Sequence, residues 1–434
     1  MPTVMAVLRP AIADLLGGAT IEAALKGERP LGSMKGGATL AGPKQLVLTF
    51  ASPDRGVQMV TAKRNLPFAE SEVLFCDELL KAVSALYDRV DDRHYQAHFR
   101  TALLSSAFDI AVTRVLRGSQ SSTFGTIQTI IRAFQDLTFR RYEGQPVTTA
   151  LLFMPQPSKW QKRASKADIR VDLLDKPVNV ASQIFDNPLS FLLISGELQW
   201  YISNLQGTVF AVASCSSTSD LDWIGLGNGQ QLLRGLALTN SERSFGIRVT
   251  RQSEVHVLSN RSLSFLWRRN RWYLFEQQII RDFLASIGVS ADLANQLAII
   301  AFAMSGARHG AVIMIARESQ KTRILIKGSV GSGPLATALA ARVRNRSILE
   351  LRASGELEGI LSSDGVLQLS PEGEVLHIGV VVNTDLAVRG LSGGGRTMAA
   401  SAASHRQLKS RVIKVSQDGT IDLFEAGRSV YRFG

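Results

Sequence analysis

The sequence has few cysteines and no long apolar run, and each shortage argues against a class of protein. Cys76 and Cys215 are the only cysteines, and they lie far apart without the spacing of metal ligands. This argues against a disulfide framework and a zinc site, and it is typical of a reducing compartment. No stretch reaches the roughly 18 uninterrupted apolar residues of a membrane-spanning helix. The first residues, MPTVMAVLRPAIADLLGG, lack the features of a signal peptide. We therefore expect a cytoplasmic protein with no membrane partner.

Acidic residues are scarce relative to basic ones. Asp and Glu number 37 against 49 Lys and Arg, which gives a formal net charge of +12. This excess favours anionic partners such as nucleotides or nucleic acid and does not bear on the fold. With 434 residues, 45% of them hydrophobic, the chain is long enough for two or three domains with their own cores.

The first part of the chain predicts a mixed α+β domain over residues 1–155 and a strand-rich segment over 170–275. KQLVLTFA and GVQMVTA read as a hairpin, and three amphipathic helical stretches follow, the last ending at RRYEG. The prolines and polar residues of PQPSKWQKRASKAD predict a linker. Beyond it we predict strands at GTVFAVASC, LRGLALTN, FGIRVTR, EVHVLS and LSFLWRRNRWYLF.

Residues 276–434 predict an α/β unit, in which two leading helices precede alternating strands and helices. GAVIMIAR, TRILIKG, SILELRA, GVLQLS, VLHIGVVV, SRVIKVS and TIDLFEA read as strands; GPLATALAARVRN and residues 396–404 read as helices. Alternation of this kind indicates a mixed β-sheet flanked by helices. We therefore predict an α+β chain overall, with a mixed N-terminal region before this C-terminal sheet.

The stretch RGLSGGGRTMAASAASH, residues 389–405, places three glycines directly before a predicted helix. Glycines let a ligand approach the backbone, and the first N–H groups of a helix suit a phosphate. Between Asp385 and Asp418 there is no acidic residue, and the six basic ones would concentrate positive potential there: Arg389, Arg396, Arg406, Lys409, Arg411 and Lys414. A solvated basic face is the alternative for Arg406, Lys409 and Arg411.

Asp364 and Gly365 precede a predicted strand, where a carboxylate at the sheet rim could hold a divalent ion or a ribose hydroxyl. Asp-Gly is also a common hairpin turn pair, and a plain turn is the alternative.

Four segments in order give the C-terminal third a resemblance to the diadenylate cyclase domain family, whose members join two ATP molecules into cyclic di-AMP. They are ARHGAVIMIARESQKTRILIKG, SSDGVLQLSPEGEVLHIGVVV, GGGRTMAASAAS and SRVIKVSQDGTIDLFEAG. The resemblance implies a diadenylate-cyclase-like sheet, a site for an adenine nucleotide or cyclic dinucleotide, and Mg²⁺ or Mn²⁺ held at Asp364. It implies catalysis by Asp364 and Arg396 if the domain is active. It assigns nucleotide binding to Asp364, Gly365, Val366, Gly393, Gly394, Gly395, Arg396 and Thr397.

The sequence departs from this family where the family has its Arg-His-Arg motif, since Arg396 is followed by Thr397 and Met398. The Ser-Glu-Glu turn of the family is here Ser416, Gln417 and Asp418. Phosphoryl transfer depends on positioned charges, and one lost donor typically costs about 100- to 1,000-fold in rate. Our first hypothesis is therefore a catalytically degenerate sensor in bacterial signalling or defence, acting through an effector protein or its own oligomerisation.

A second hypothesis is an active, divergent cyclase, in which other side chains replace the missing motif groups. The candidates are Arg308, His309 and His405. The resemblance implies that such an enzyme works as a homodimer of facing domains, each holding one ATP.

A third hypothesis is nucleic-acid binding through residues 261–273, RSLSFLWRRNRWY. Arg261, Arg268, Arg269 and Arg271 interleave there with Trp267, Trp272 and Tyr273, as on a surface that binds phosphates and stacks bases. The alternative, which we favour, is a core strand with its aromatic rings inside.

Overall fold

The computed structural model describes residues 4–23, 37–52, 56–87, 97–118, 121–180, 184–215, 230–259, 263–316, 326–329, 334–388, 391, 393–405 and 409–434. They form two compact units. The described residues of the first unit lie within Met1–Ser217 and Gly229–Glu276, and those of the second lie within Gln277–Gly434. Within the described ranges, no helix has the length and apolar character needed to cross a membrane.

Three sheets and seven helices are described in the first unit. A four-stranded antiparallel sheet has the order β1-β4-β3-β2, with β1 Thr20–Ala23, β2 Gly37–Gly42, β3 Gln45–Ser52 and β4 Gly56–Lys63. β5 Arg141–Tyr142 and β6 Gln145–Pro146 pair as a short ribbon. An eight-stranded sheet contains β7 Thr149–Phe153, β8 Ile169–Asn179, β9 Gln199–Ser203, β10 Thr208–Cys215, β11 Phe245–Val249, β12 Val255–Ser259, β13 Leu263–Arg268 and β14 Arg271–Glu276. Its order is β14-β13-β12-β11-β7-β9-β10-β8, and the β7–β9 pair is parallel.

The helices are α1 Val4–Leu15, α2 Glu70–Tyr87, α3 Ala97–Arg117, α4 Phe124–Leu137, α5 Pro157–Ala164, α6 Leu189–Leu192 and α7 Gln230–Ala237.

One hydrophobic core runs through this unit from α1 to β14. This core combines side chains that precede the predicted linker with side chains that follow it. Phe75 of α2 and Phe265 of β13, for example, have ring centroids 5.5 Å apart. The linker prediction is wrong, because α5 lies there and buries Trp160, whose indole N–H donates to the carbonyl of Gly235 at 2.8 Å. The eight-stranded sheet likewise takes β7 from before residue 155 and its other strands from after it.

The second unit contains a seven-stranded mixed sheet with helices packed on it. Its helices are α8 Gln277–Ala285, α9 Ala291–Ala307, α10 Pro334–Val343, α11 Ile348–Ala353, α12 Glu356–Ser362 and α13 Gly395–Ala403. Its strands are β15 Ala311–Ile315, β16 Ile326–Ser329, β17 Val366–Leu369, β18 Val375–Val382, β19 Arg411–Val415, β20 Ile421–Glu425 and β21 Arg428–Phe433. The order is β16-β18-β17-β15-β19-β20-β21; β15 and β17 are parallel, and the other pairs are antiparallel.

The helices cover both faces of this sheet. Val312, Met314 and Val412 pack on one face against the alanines of α13. Side chains alternate along a strand, so the equally buried Ile313 and Ile413 point to the other face, and α9 contacts β19 and β20 there. The predicted fold class, an α+β chain with a C-terminal mixed sheet flanked by helices, is confirmed.

Three local predictions are wrong: two segments predicted as strands form helices, and one predicted helix ends earlier than expected. SILELRA forms α11: Ser347 accepts from the Leu349 N–H at 3.2 Å, and Ile348 and Leu351, three residues apart, are fully buried. LRGLALTN lies largely in α7, whose Leu232 and Leu236 are buried four residues apart. The helix predicted to end at RRYEG ends at Leu137, and RY begins the β5–β6 ribbon.

Candidate nucleotide site

The predicted site residues come together where the parallel strands β15 and β17 begin. Gly310 directly precedes β15, and Asp364 and Gly365 directly precede β17. β19 runs antiparallel to β15, so the turn after it, residues 416–419, returns at the same edge. We call this side of the sheet the strand-start edge.

Arg396, on the first turn of α13, reaches this edge. Its Nη2 lies 3.7 Å from Oδ1 of Asp364, and its guanidinium lies over Gly310. A Cβ at residue 310 would come within 2.6 Å of Nη1, so a side chain there would displace the guanidinium. Asp364 is 87% exposed and Arg396 33% exposed, which makes their attraction weak and leaves both groups accessible to a ligand.

The glycines before α13 leave open space in front of the helix. Gly394 is the N-cap and carries no capping side chain, while its carbonyl accepts from the N–H groups of Thr397 and Met398 at 2.9 and 3.1 Å. The N–H groups of Gly394, Gly395 and Arg396 come before these bonds, and N–H groups at such positions have no partner within the helix. A Cβ on Gly394 or Gly395 would meet no atom within 4 Å. An anion could therefore approach these N–H groups directly.

Thr397 is held differently from Arg396. A Cβ on Gly393, whose φ is +156°, would lie 2.7 Å from Cβ of Thr397. The threonine side chain therefore packs back onto Gly393, which only a glycine permits.

Asp364 and Gly365 form a helix-to-strand connection between α12 and β17, so the alternative of an ordinary hairpin turn does not apply. Gly365 has φ +106°, and a Cβ there would lie 2.6 Å from the carbonyl carbon of Gly379 in β18. Val366 is 1% exposed and packs in the core beneath α13. Only the backbone of Val366 could therefore contact a ligand.

The basic residues do not all surround the glycines. Arg411 pairs with Glu425 at 2.5 Å, and the buried Lys414 pairs with Asp422 at 2.8 Å. Both cations are therefore paired within the sheet and are not free beside the glycines, although the charge of Lys414 still acts on Asp418 in the turn after β19. Lys409 is exposed, whereas Arg389 and Arg406 lie outside the described residues.

Two of the three proposed replacement groups lie at the strand-start edge. His309 directly precedes Gly310, and its Nδ1 lies 3.0 Å from Oγ of Ser362, two residues before Asp364. Arg308 precedes His309 and interacts electrostatically with Asp418. His405 follows the far end of α13, a helix of nine residues, and so lies roughly 13 Å along the axis from its first turn.

Asp418 adds a carboxylate to this edge, in the turn that follows β19. Partial burial raises the pKa of Asp418, but hydrogen bonds from Thr420 and the positive charges of Lys414 and Arg308 outweigh burial and lower it. The group is therefore ionised at neutral pH.

The described side chains do not form a metal cage. No group of three or more His, Cys, Asp or Glu residues in the described ranges is arranged to hold a metal ion. Mg²⁺ commonly takes one or two protein carboxylates and completes its shell with water and substrate phosphates. Asp364 fits that limited role, as a single ligand to an ion that arrives with a nucleotide.

The basic aromatic segment of the first unit does not present its tryptophans to solvent. Trp267 and Trp272 are 7% and 6% exposed and belong to the core, and Arg268 is buried against Glu254 with an Nε–Oε1 distance of 2.6 Å. Arg269 and Arg271 are exposed, and Arg261 lies outside the described residues. The base-stacking surface that the nucleic-acid hypothesis needs is therefore not formed by these two rings.

Comparisons with known proteins add little to this geometry. No protein-family model matches the sequence, and no curated protein matches it. Among solved structures, the chain is similar to a hypothetical membrane-spanning protein from Bacillus cereus, with a TM-score of 0.27 and 15% identity over 36% of this chain and 70% of that one. It is also similar to a double-cysteine variant of DacA from Staphylococcus aureus, with a TM-score of 0.21 and 16% identity over 30% of this chain and 78% of that one. At these TM-scores neither similarity bears on what the chain does.

Proposed function

We propose that the second unit binds an adenine nucleotide or cyclic dinucleotide at the strand-start edge and acts as a sensor in bacterial signalling or defence. One observation carries the proposal: Arg396 lies over Gly310 and 3.7 Å from Asp364, beside a glycine-flanked helix start. A cation, open backbone N–H groups and an exposed carboxylate are thereby brought to one edge. Phosphate and ribose or metal are the ligands that such groups bind.

Each residue has a distinct part in the proposed complex. The N–H groups at Gly394 and Gly395 and the guanidinium of Arg396 hold phosphate oxygens. Asp364 accepts a ribose hydroxyl, or binds Mg²⁺ or Mn²⁺ that accompanies the phosphates. Gly310 keeps Arg396 at the edge because it leaves room for the guanidinium.

The side chains at the strand-start edge favour nucleotide binding without catalysis. Thr397 packs back on Gly393, and Met398 brings no charge, so Arg396 is the single cation of the motif stretch. Two lost donors would reduce a phosphoryl-transfer rate by roughly 10⁴-fold or more. Backbone N–H groups bind phosphate whatever the side chains are. The signal would then pass to an effector protein or into homo-oligomerisation.

The experiment incubates the protein with ATP and Mn²⁺, assays for cyclic di-AMP, and measures thermal shifts with ATP and with cyclic dinucleotides. We expect no product and a shift by one nucleotide that Asp364→Ala and Arg396→Ala reduce. Arg428→Ala, an exposed arginine on β21, is the matched control and should bind as the unmodified protein does. Absence of any shift would contradict nucleotide binding.

The position of His309 favours a second candidate function, an active cyclase. It lies beside Gly310 and Ser362, where a polar side chain could replace a missing motif group. Cyclic di-AMP production that Asp364→Ala and His309→Ala abolish, and that requires a dimer, would establish this function and refute the purely sensory one.

A further inference from the structure

A second candidate site, independent of the nucleotide proposal, lies in the first unit. A cavity of about 460 Å³ opens between α1, α3 and the turn that joins β13 to β14. Its apolar walls come mainly from Leu104, Phe108, Trp272 and Tyr273. Small-molecule sites commonly measure about 300–1,000 Å³ and combine apolar walls with a few polar groups. The cavity volume therefore suits a ligand that has a single ring or two fused rings.

The aromatic wall is fixed in position before any ligand arrives. The indole N–H of Trp272 donates to Oδ1 of Asp109 at 2.7 Å, and the amide of Gln135 donates to the same oxygen at 3.0 Å. The Trp272 ring also meets Phe265 edge to face, with centroids 6.3 Å apart. A wall held this way loses little conformational entropy when it packs on a ligand.

The charged groups at the cavity select the ligand class. Arg271 lines the cavity together with Asn270, and Arg269 precedes them in the same exposed turn. Among the described residues that line the cavity, Asp14 of α1 is the single acidic one. A guanidinium and an amide suit a single anionic group, whereas the carboxylate among the lining residues disfavours a ligand with several negative charges.

We propose that this cavity binds a small molecule with an aromatic body and one anionic group. The body packs between Leu104, Phe108 and Trp272, and Arg271 holds the anion at the mouth. A nucleotide triphosphate is the wrong ligand here, since its several charges would lie near Asp14.

The test uses the full chain and two fluorescent probes that share one ring system. Anilinonaphthalenesulfonate carries the anion, and N-phenylnaphthylamine lacks it. We expect saturable binding of both with one site each. Arg271→Gln should weaken the sulfonate about tenfold and change the neutral probe by less than about twofold, because a charge-assisted hydrogen bond is lost. Arg269→Gln, in the same turn but not in the lining, should change neither.

A cavity-filling variant separates this site from general apolar binding. Ser105 is exposed on α3 and lines the cavity, so Ser105→Phe should weaken both probes about tenfold while the unfolding curve stays unchanged. The proposal would be overturned if Arg271→Gln and Arg269→Gln had equal effects on probe binding, or if Arg271→Gln left the affinity for the sulfonate unaltered. It would also be overturned if the probes still bound to Ser105→Phe, or if the unmodified protein showed no saturable binding.

Discussion

Gly310→Ala should weaken nucleotide binding without destabilising the protein. The new Cβ would lie 2.6 Å from Nη1 and 2.7 Å from Cζ of Arg396, whereas ordinary contacts begin near 3.4 Å. The guanidinium must therefore retreat by about 1 Å, since the strand beneath it is packed and cannot give way. A charge-assisted hydrogen bond contributes about 1.5–3 kcal/mol and depends steeply on geometry. Arg396 is partly exposed, so we expect the loss of binding free energy to lie near the lower end of that range. This corresponds to an affinity about tenfold weaker.

The free energy of unfolding should change by less than about 1 kcal/mol, because the displaced atoms are the end of a flexible side chain. Gly359→Ala is the matched control, since a Cβ at this position of α12 meets nothing within 4 Å. The assay is a titration with ATP and with cyclic di-AMP, followed calorimetrically, beside urea unfolding of each variant. If Arg396→Ala loses affinity but Gly310→Ala binds like the unmodified protein, the position of the guanidinium over Gly310 is irrelevant and the reasoning fails.

Three further predictions concern stability. Gly365→Ala should lower the free energy of unfolding by about 2–4 kcal/mol, because φ is +106° and the backbone of Gly379 blocks a Cβ; a melting temperature equal to that of the unmodified protein would contradict this. Asp422→Asn should cost about 3 kcal/mol in urea unfolding, since it leaves the charge of Lys414 buried beside a neutral amide; a cost below about 1 kcal/mol would refute it. Burial lowers the pKa of His256 to about 4, so the folded state binds fewer protons than the unfolded state between pH 6.5 and 4. Stability should fall as pH drops through that window, by about 1.4 kcal/mol per unit at most, and unfolding curves of His256→Gln over the same pH range should lack this slope.

The C-terminal sheet could be predicted from sequence because its strands are short apolar runs between clear turns. VLHIGVVV coincides with β18, for example. SILELRA could not be separated from a strand on the same basis, since its two buried residues fit either structure over so short a run. What decides it is the Ser347 cap together with packing, and packing is a property of the folded chain.

The candidate site was predictable in part. Asp364 and Arg396 were selected by the family resemblance, while nothing in a linear pattern measures the 3.7 Å between them. Nothing in the sequence distinguishes Gly310 from an ordinary glycine before a strand. Its role depends on which side chain crosses it, and that residue lies 86 positions later in the chain. The same limit applies to Trp272, whose burial against Asp109 depends on a contact between distant elements.

The strand-start edge also receives the ends of three helices. α9 ends at Ala307 and α12 at Ser362, with three residues between each helix and the strand that follows it, whereas α13 begins there at Gly395. The carbonyl ends of two helices carry partial negative charge, and the amide end of the third carries partial positive charge. A bare phosphate would be attracted by one helix terminus and repelled by two. In the proposed complex, a nucleotide that brings its own divalent cation would meet favourable partial charges at all three helix ends, whereas the anion alone would meet them at one.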